Sequence, residues 1–384
     1  MLIKNALLAD GSRHDIEVKD GRISAFLPPS SGAPGLFVMP PLVDGHIHLD
    51  KTLLGLPWVP NRAGDTVASR IEAERGVRAE RTLPESETGA NLVRQVMASG
   101  TLHMRCHVDV DNQLGLRNLN EVLKIRERFA GLVTIEIVAF PQSGIARSPG
   151  TAELLDAAIG QGADLLGGLD PVGIDGDLDG HLDTIFAIAG KRGVGLDIHL
   201  HDGGEGGIAQ IRAIAERTRA KGLGGKVAVS HAFALGSVPP DLAARTADLL
   251  AETGVAIMSH GPGASPMPPV KMLRAHGVRV FAGSDNIRDA WSPFGNGDML
   301  ERAMLIGYRA NFRHDEDLAI AFDMVTAAAA GVMGLADYGL KVGGPADFVA
   351  VEAGSLAEAV ATRPRRKLVV KADRVIARDG ALVS

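Results

Sequence analysis

The sequence predicts an α/β fold in which a (β/α)8 TIM barrel carries a small β-sandwich domain built from both termini. Within residues 41–340, eight short apolar runs recur, and stretches of helical composition separate them. Strands and helices that alternate over ~300 residues indicate a parallel sheet covered by helices, and eight repeats favour closure into a barrel. The two ends instead alternate apolar and polar residues, with Gly and Asp between them, as short antiparallel strands and tight turns do.

The predicted elements follow one another in a regular order, and the helices have apolar residues spaced near 3.6 residues apart. The eight barrel strands are predicted at 42–49, 101–110, 133–140, 164–169, 195–201, 226–230, 255–258 and 278–282. Helices are predicted at 86–98, 116–129, 151–160, 208–221 and 242–252. Residues 1–40 and 341–384 are predicted to form the β-sandwich domain, and residues 41–340 the catalytic barrel inserted between them.

Composition excludes several classes of protein. Of the 384 residues, 46% are hydrophobic and 22% are charged, a balance that excludes a disordered or collagen-like chain. The 40 Lys and Arg residues against 46 Asp and Glu give a net charge of −6, so no basic excess favours binding to nucleic acid or to an anionic membrane. The most apolar run, 324–336, reaches about two thirds of the ~20 residues that span a bilayer.

The single cysteine, Cys106, bears on both location and metal chemistry. One thiol forms neither an intrachain disulfide nor a cysteine-rich zinc cluster, so a metal site would need histidines and carboxylates. The first fifteen residues lack the apolar core and cleavage pattern of a secretory signal. We therefore expect a cytoplasmic protein.

Polar residues cluster where the predicted barrel strands end, the place where such barrels carry their active sites. The first strand ends in a His-x-His pair, whose two rings point to one side of a strand and can share a metal ion. Histidines or acids also end the fifth, sixth, seventh and eighth strands. The residues concerned are His46, His48, His199, His201, Asp202, His231, His260 and Asp285.

Longer motifs at these strand ends resemble the cytosine deaminase-like branch of the amidohydrolase superfamily. The segments that carry the resemblance are 43–48 (VDGHIH), 107–110 (HVDV), 139–145 (AFPQSGI), and 284–285 (SD) followed by 291–295 (WSPFG). The resemblance covers nearly the whole chain. It implies that His46, His48, His199 and Asp285 bind the metal, and that His231 contacts the hydrolytic water or the substrate.

The resemblance also implies substrate contacts. It implies that Gln142 binds a heterocycle through its amide, which offers both a donor and an acceptor, and that Trp291 shapes the pocket. Asn286 stands where cytosine deaminase has a carboxylate, which places cytosine itself in doubt as the substrate. We also interpret His260 as a substrate contact at the mouth of the barrel, and His201 either as a substrate contact or as a residue that orients a metal ligand.

One divalent metal ion, zinc or ferrous iron, is expected. Binuclear relatives bridge two metals with a lysine from the fourth strand, but residues 164–170 (DLLGGLD) contain no lysine. A divalent metal ion held by three imidazoles and a carboxylate keeps a position open for water and lowers the pKa of that water from about 15.7 toward roughly 7. Hydroxide then attacks an amidine-like ring carbon, and ammonia leaves once its nitrogen is protonated. Asp285 would accept the water proton, and a protonated His231 would stabilise the developing anion.

The proton shuttle has two candidates. Relatives of this type place a glutamate three positions beyond the fifth-strand histidine, but that position here is Asp202, and a glutamate follows at Glu205. We favour Glu205, because the intervening Gly203-Gly204 pair permits a loop that folds this side chain back toward the metal. Lys51 and the charged stretch 70–81 are interpreted as solvated charges.

The predicted function is metal-dependent hydrolytic deamination of a cytosine-, pterin- or triazine-like heterocycle. One alternative is hydrolysis of a cyclic amide, as in dihydroorotase- or hydantoinase-like relatives, which would open a ring without releasing ammonia. The other is a barrel that binds ligand without turnover. A small heterocycle is the expected partner, and a homo-oligomer is expected from the family resemblance.

Overall fold

The structure, a computed structural model, describes residues 1–33, 35–80 and 84–383. In chain order its strands are β1 (Leu2–Leu7), β2 (Arg13–Lys19), β3 (Arg22–Leu27), β4 (Phe37–Met39), β5 (Leu42–Ile47), β6 (Thr101–Asp109), β7 (Thr134–Phe140), β8 (Leu165–Leu169), β9 (Gly195–Leu200), β10 (Val227–His231), β11 (Ala256–Ser259), β12 (Val280–Ala282), β13 (Phe348–Val351), β14 (Arg366–Lys371), β15 (Arg374–Arg378) and β16 (Ala381–Leu382).

The helices surround one of the two sheets. They are α1 (Val67–Glu80), α2 (Glu85–Ala98), α3 (Arg117–Arg128), α4 (Thr151–Gly160), α5 (Leu178–Arg192), α6 (Gly204–Ala220), α7 (Pro240–Thr253), α8 (Val270–Ala275), α9 (Met299–Arg309), α10 (Asp315–Met324), α11 (Ala327–Val332) and α12 (Leu356–Thr362). Local signals fix their ends. For example, the Asp177 carboxylate accepts a hydrogen bond from the Gly180 N–H at the start of α5, and Gly193 ends that helix at φ +73°.

The first sheet runs from β5 to β12 in chain order, and neighbouring strands are parallel. Its strands are buried almost throughout, as expected for a sheet whose outer face is covered by helices. The predicted strands lie within about two residues of the observed ones. The structure therefore confirms the eight-stranded barrel.

The barrel closes through a short seam between β12 and β5. The Asp285 N–H donates a hydrogen bond of 2.8 Å to the His46 carbonyl, and Asp285 forms an isolated parallel bridge with Ile47. Two glycines allow this approach. A Cβ atom on Gly283 would lie 2.6 Å from the His46 backbone nitrogen, and one on Gly45 would lie 2.7 Å from Phe281 Cε2 and 2.8 Å from the Ala282 carbonyl oxygen.

A buried carboxylate also joins the two edges of the seam. Asp44 accepts hydrogen bonds from the backbone N–H of Ser284 at 2.9 Å and from the Ser284 hydroxyl. Burial raises the pKa of Asp44 to about 6, although these hydrogen bonds act in the opposite direction. The first strand and the segment after the eighth strand are therefore fixed to each other by side chains as well as by backbone.

The second sheet is assembled from both ends of the chain, in the order β16-β15-β14-β13-β4-β1-β2-β3. Its two halves meet where β13 pairs with β4 in antiparallel register, Val349 opposite Met39. The outer strand β3 turns back on the C-terminal half, because Ile23 exchanges hydrogen bonds with Gly343 and Gly344. The sheet encloses its own apolar core, which includes Phe348.

These observations confirm the small β-sandwich predicted from both termini. The predicted domain limits, residues 40 and 341, fall in connections between the two sheets, and the division into domains stays a prediction. Within the described residues, no helix combines the length and the hydropathy needed to cross a bilayer.

We expect Gly283→Ala to lower the free energy of unfolding by about 1–3 kcal/mol, because the added methyl group overpacks the seam. The same change at Gly190, in α5, is the matched control. An added Cβ there meets nothing within 4 Å, so Gly190→Ala should stabilise the protein by about 0.5–1 kcal/mol. Urea denaturation measures both changes. Equal stability of the two variants would show that the seam tolerates a side chain.

Candidate active site

The carboxyl ends of the barrel strands open into a cavity of about 1070 Å³. This is the end of the barrel at which the sequence predicts the chemistry. His46 lies fully buried at the seam beneath the cavity. The other predicted residues that line the cavity are His48, Gln142, His199, His201, Asp202, His231, His260, Asp285, Asn286 and Trp291.

The four predicted metal ligands come together at the base of this cavity. Asp285 Oδ1 lies 3.6 Å from His46 Nε2 and 3.4 Å from His48 Nε2. The rings of His46 and His199 meet edge to face, with centroids 4.6 Å apart. One ligand atom each from His46, His199 and His231 also lie within 4.8 Å of one another. The structure thus brings the predicted ligand set together, with His231 beside it.

The ring nitrogens show how this group of residues fits a cation. His46 Nδ1 lies 3.0 Å from Ser230 Oγ, and His48 Nδ1 lies 3.1 Å from the His107 carbonyl. A carbonyl only accepts, so His48 carries its proton on Nδ1 and presents the Nε2 lone pair to Asp285. Within the described residues, His46 Nε2 and both nitrogens of His199 are buried without a hydrogen-bond partner. A divalent metal ion would satisfy His46 Nε2 and one of the two nitrogens of His199.

A hydrogen-bonded chain behind His46 fixes its tautomer. The Ser230 hydroxyl donates to Asp197 Oδ1 at 2.7 Å, and Arg105 Nη1 donates to Asp197 Oδ2 at 2.9 Å. Because the single hydroxyl proton of Ser230 is used on Asp197, the oxygen can only accept from His46 Nδ1. The Nε2 lone pair of His46 then faces Asp285. Partners of this kind orient metal-binding histidines.

Three histidines form one wall of the cavity above this base. The rings of His201 and His231 stack with centroids 4.3 Å apart, and His231 Nδ1 lies 3.1 Å from His260 Nδ1. Burial lowers the pKa of His201, but Asp170, 2.8 Å from its Nδ1, more than offsets this and raises it. Burial and the adjacent His201 hold the pKa of His231 well below its usual range.

This direction of the His231 pKa opposes the expectation that His231 is protonated. The cation that the surroundings favour is His201, paired with Asp170. His201 and His260 both line the cavity, and their interpretation as substrate contacts stays a prediction. His260 completes the same wall. Its pKa is lowered to about 4, chiefly by burial.

Backbone strain occurs at the strand ends that carry these groups. His231 has φ +72°, Asp285 has φ +62° and Asp170 has φ +34°, all in the left-handed region that non-glycine residues rarely adopt. Each such residue costs about 1–3 kcal/mol and persists only where the surroundings hold it. All three belong to the wall or the base of the cavity.

The two predicted shuttle carboxylates lie in different places. Asp202 lines the cavity, where its Oδ2 accepts hydrogen bonds from the Gly173 N–H at 2.9 Å and from Gln210 Nε2 at 2.8 Å. Glu205 is exposed and is not part of the cavity wall. The expected loop that would return Glu205 to the metal does not form, because α6 already begins at Gly204. Glu205 occupies its first turn, where a negative charge is favourable.

Three other predicted substrate contacts, Gln142, Asn286 and Trp291, come from the loops after the third and eighth barrel strands. Gln142 Nε2 donates to Glu74 Oε2 at 3.1 Å, and Trp291 Nε1 donates to the same oxygen at 2.7 Å. Asn286 lines the cavity, and its Nδ2 donates to Asp289 at 2.6 Å. Two of these three side chains are therefore held by one carboxylate.

Two charged residues near the site were misinterpreted from the sequence. Lys51 is buried and lines the cavity, with its Nζ 2.8 Å from Asp109 Oδ1. Glu74 is buried in α1, within the stretch 70–81, whose residue 81 lies outside the described residues. A signal for Glu74 was available, because Val67 and Ile71 precede it at helical spacing and share its face.

A family model described as amidohydrolase family matches residues 33–379. The chain belongs to the amidohydrolase family. Members of this family are metal-dependent, and the histidine and aspartate clusters of this chain could hold a metal ion. Family membership confirms the predicted class of enzyme, a hydrolase of carbon–nitrogen bonds other than peptide bonds.

Three relatives of this amidohydrolase stand out. The crystal structure of N-isopropylammelide isopropylaminohydrolase from Burkholderia multivorans is 46% identical, with a TM-score of 0.95 over 100% of this chain and 99% of that one. N-isopropylammelide isopropyl amidohydrolase of Pseudomonas sp. (strain ADP) is 31% identical over 100% and 98% of the two chains. The 5-methylcytosine deaminase structure from Klebsiella pneumoniae, liganded with 5-fluorocytosine, is 27% identical, with a TM-score of 0.88 over 98% and 97%. The cytosine deaminase-like resemblance is thereby confirmed.

We expect Ser230→Ala to weaken Zn²⁺ binding by about 10- to 100-fold, because His46 loses the partner that fixes its tautomer. Competition with a chromophoric chelator measures the affinity without any substrate. Ser259→Ala is the matched control, since Ser259 is an equally buried serine that ends the neighbouring strand β11. If the two variants bind Zn²⁺ equally well, Ser230 does not orient the ligand.

Proposed function

We propose that this protein hydrolyses the bond between a ring carbon of an oxo-substituted 1,3,5-triazine and an exocyclic alkylamino nitrogen, and releases an alkylamine. The observation that carries the proposal is the 46% identity and TM-score of 0.95, over essentially both full lengths, to N-isopropylammelide isopropylaminohydrolase. Triazines are among the ring types predicted from the sequence. An N-alkylated substrate changes the expected product from ammonia to an amine.

The base of the cavity supports a hydrolytic role. His46, His48, His199 and Asp285 would hold one divalent metal ion, which supplies a Lewis acid that lowers the pKa of water. Zinc and ferrous iron both suit three imidazoles and a carboxylate. Residues 164–170, without a lysine, support a single ion rather than a bridged pair.

Apolar side chains support the alkyl group of the proposed substrate. Phe140, Leu169 and Ile174 form a cluster against which Val67 and Trp291 pack, and all five line the cavity. Small-molecule sites of about 300–1,000 Å³ bind ligands mainly through such surfaces. A triazine ring with an isopropyl substituent fits a cavity of about 1070 Å³.

Asp285 is positioned to transfer the proton. Its Oδ1 faces His46 and His48, whereas its Oδ2 lies 3.7 Å from His260 Nδ1 and faces the cavity wall. Oδ2 would accept a proton from the attacking water, and the shuttle carboxylate assigned below would deliver a proton to the departing nitrogen. One water is consumed, the ring carbon gains an oxygen, and the carbon–nitrogen bond breaks to leave a neutral amine.

Two further expectations remain proposals. The single cysteine, Cys106, is buried and unpaired, which supports the proposed cytoplasmic location. A homo-oligomer is proposed on the family resemblance alone.

We expect the metal-loaded protein, with one equivalent of metal by elemental analysis, to release isopropylamine from N-isopropylammelide. Chromatography of the amine separates this product from ammonia. Cytosine, 5-methylcytosine and pterin are the comparison substrates, and turnover of these should be at least about tenfold slower. His199→Ala should lose metal and turnover together.

Three outcomes would overturn the substrate assignment. Ammonia from cytosine or pterin, without isopropylamine, would favour a deaminase of an unsubstituted amino group. A ring-opened product without amine would favour the cyclic amide hydrolase. One bound metal with no turnover of any compound would favour a binding protein.

Of the two predicted shuttle residues, we assign the proton-transfer role to Asp202, because it lines the cavity and Glu205 does not. Asp202→Asn should lower kcat by at least about 100-fold, within the range for general acid–base groups. Glu205→Gln makes the same chemical change in α6 and should leave kcat within about twofold. Steady-state kinetics on N-isopropylammelide tests both. A large loss of kcat in Glu205→Gln alone would restore the first assignment.

A further inference from the structure

A single carboxylate lies behind the substrate wall of the cavity. Glu74 of α1 is 6% exposed and does not itself line the cavity. Its Oε2 lies 2.7 Å from Trp291 Nε1, 3.1 Å from Gln142 Nε2 and 3.5 Å from Lys51 Nζ. Its Oε1 accepts from Arg78 Nε at 3.1 Å and from Arg78 Nη2 at 3.0 Å. Every one of these contacts comes from a donor.

Five donors around two oxygens require an ionised acceptor. Burial alone would raise the pKa of Glu74, but Lys51 and Arg78 outweigh it and hold the pKa well below its usual range. A neutral glutamine in this place would offer one oxygen, and its amide N–H groups would face other donors. The arrangement is therefore specific for a carboxylate.

The three side chains on Oε2 come from different parts of the chain. Lys51 follows the first barrel strand, Gln142 follows the third, and Trp291 lies after the eighth. All three line the cavity. Lys51 Nζ also lies 5.6 Å from the Trp291 ring and 5.9 Å from the Phe140 ring, so its charge lies between two aromatic faces of the wall.

We propose that Glu74 is a positioning residue, which holds Lys51, Gln142 and Trp291 in the arrangement that selects the substrate ring. The identity of that ring rests on the proposed function, whereas the contacts of Glu74 with these side chains do not. It gives helix α1 a defined role in recognition, although only its first residues reach the cavity.

Glu74 also sets which groups the wall offers to a ligand. One N–H of the Gln142 amide is used on Glu74, which fixes the orientation of the amide and leaves its carbonyl and its second N–H. Lys51 uses donors on Asp109 and Glu74 and keeps a third. A ring edge that combines an N–H with a carbonyl oxygen matches these groups, as in an oxo-substituted triazine.

The chain offers a spectroscopic probe of this contact. It contains two tryptophans, and Trp58 is 62% exposed. In a Trp58→Phe background, the only indole N–H resonance in a ¹H–¹⁵N spectrum belongs to Trp291. A hydrogen bond to a carboxylate should place that proton downfield of a free indole, and Glu74→Gln should move it upfield.

A residue that positions the substrate wall should affect KM more than kcat. Glu74→Gln should raise KM for N-isopropylammelide by about 10- to 100-fold and change kcat by less than about threefold, because the wall binds the ring before and during the reaction. Glu72→Gln is the matched control, since Glu72 lies in the same helix but is exposed. It should change neither the resonance nor KM.

Each of the following results either supports or overturns the positioning role of Glu74. An indole resonance at the free-indole position in the Trp58→Phe protein, where Glu74 is intact, would overturn the proposal even if Glu74→Gln fails to fold. An unchanged KM in folded Glu74→Gln would overturn it as well. A resonance that moves upfield without any turnover of N-isopropylammelide would support the role of Glu74 and overturn the substrate assignment instead.

Discussion

The candidate metal site depends on the seam that joins the first and eighth barrel strands. His46 and His48 lie on one edge of this seam and Asp285 on the other, so the distances among them are set by how closely the edges approach. Gly45 and Gly283 permit that approach, and the buried Asp44 carboxylate ties the edges together. The backbone bond from Asp285 to His46 joins two candidate ligands directly.

Two groups of buried charged residues orient other side chains at the candidate site. Arg105 and Asp197 lie behind the candidate metal ligands, and Lys51, Glu74 and Arg78 lie behind the substrate wall. Asp197 accepts a hydrogen bond from Ser230, which orients the buried His46. Glu74 accepts hydrogen bonds from Gln142 and Trp291, which line the cavity. Burial of such charges is costly unless they are paired and hydrogen-bonded. Here the pairing is retained where it fixes the geometry of a functional group.

The strand ends could be predicted because they leave a local signal. An apolar run that stops at a histidine or an aspartate marks both the end of a buried strand and the edge where parallel strands meet. This is why His46, His48, His199, His231 and Asp285 were placed together correctly from the sequence. Their assignment as ligands and catalytic groups stays a prediction.

What could not be predicted depends on partners distant in sequence. The predicted position of Glu205 was wrong because Gly203 and Gly204 can form either a loop or the start of a helix. The local sequence does not decide between these two structures, and in the protein α6 begins at Gly204. The expectation of a protonated His231 took no account of its burial or of the adjacent His201, which together lower its pKa. Lys51 was taken for a solvated charge because its partners, Asp109 and Glu74, come from other elements.

The pairing of β13 with β4 has a consequence for how the chain acquires its structure during synthesis. Strands β5 to β12 each pair with a neighbour in the chain, so most of the barrel can assemble progressively as it leaves the ribosome. Val349 meets Met39 only after roughly 300 intervening residues, a separation that makes this contact late and costly in entropy. The edge of β4 therefore stays unpaired until β13 has been synthesised, and an exposed strand edge of this kind favours aggregation.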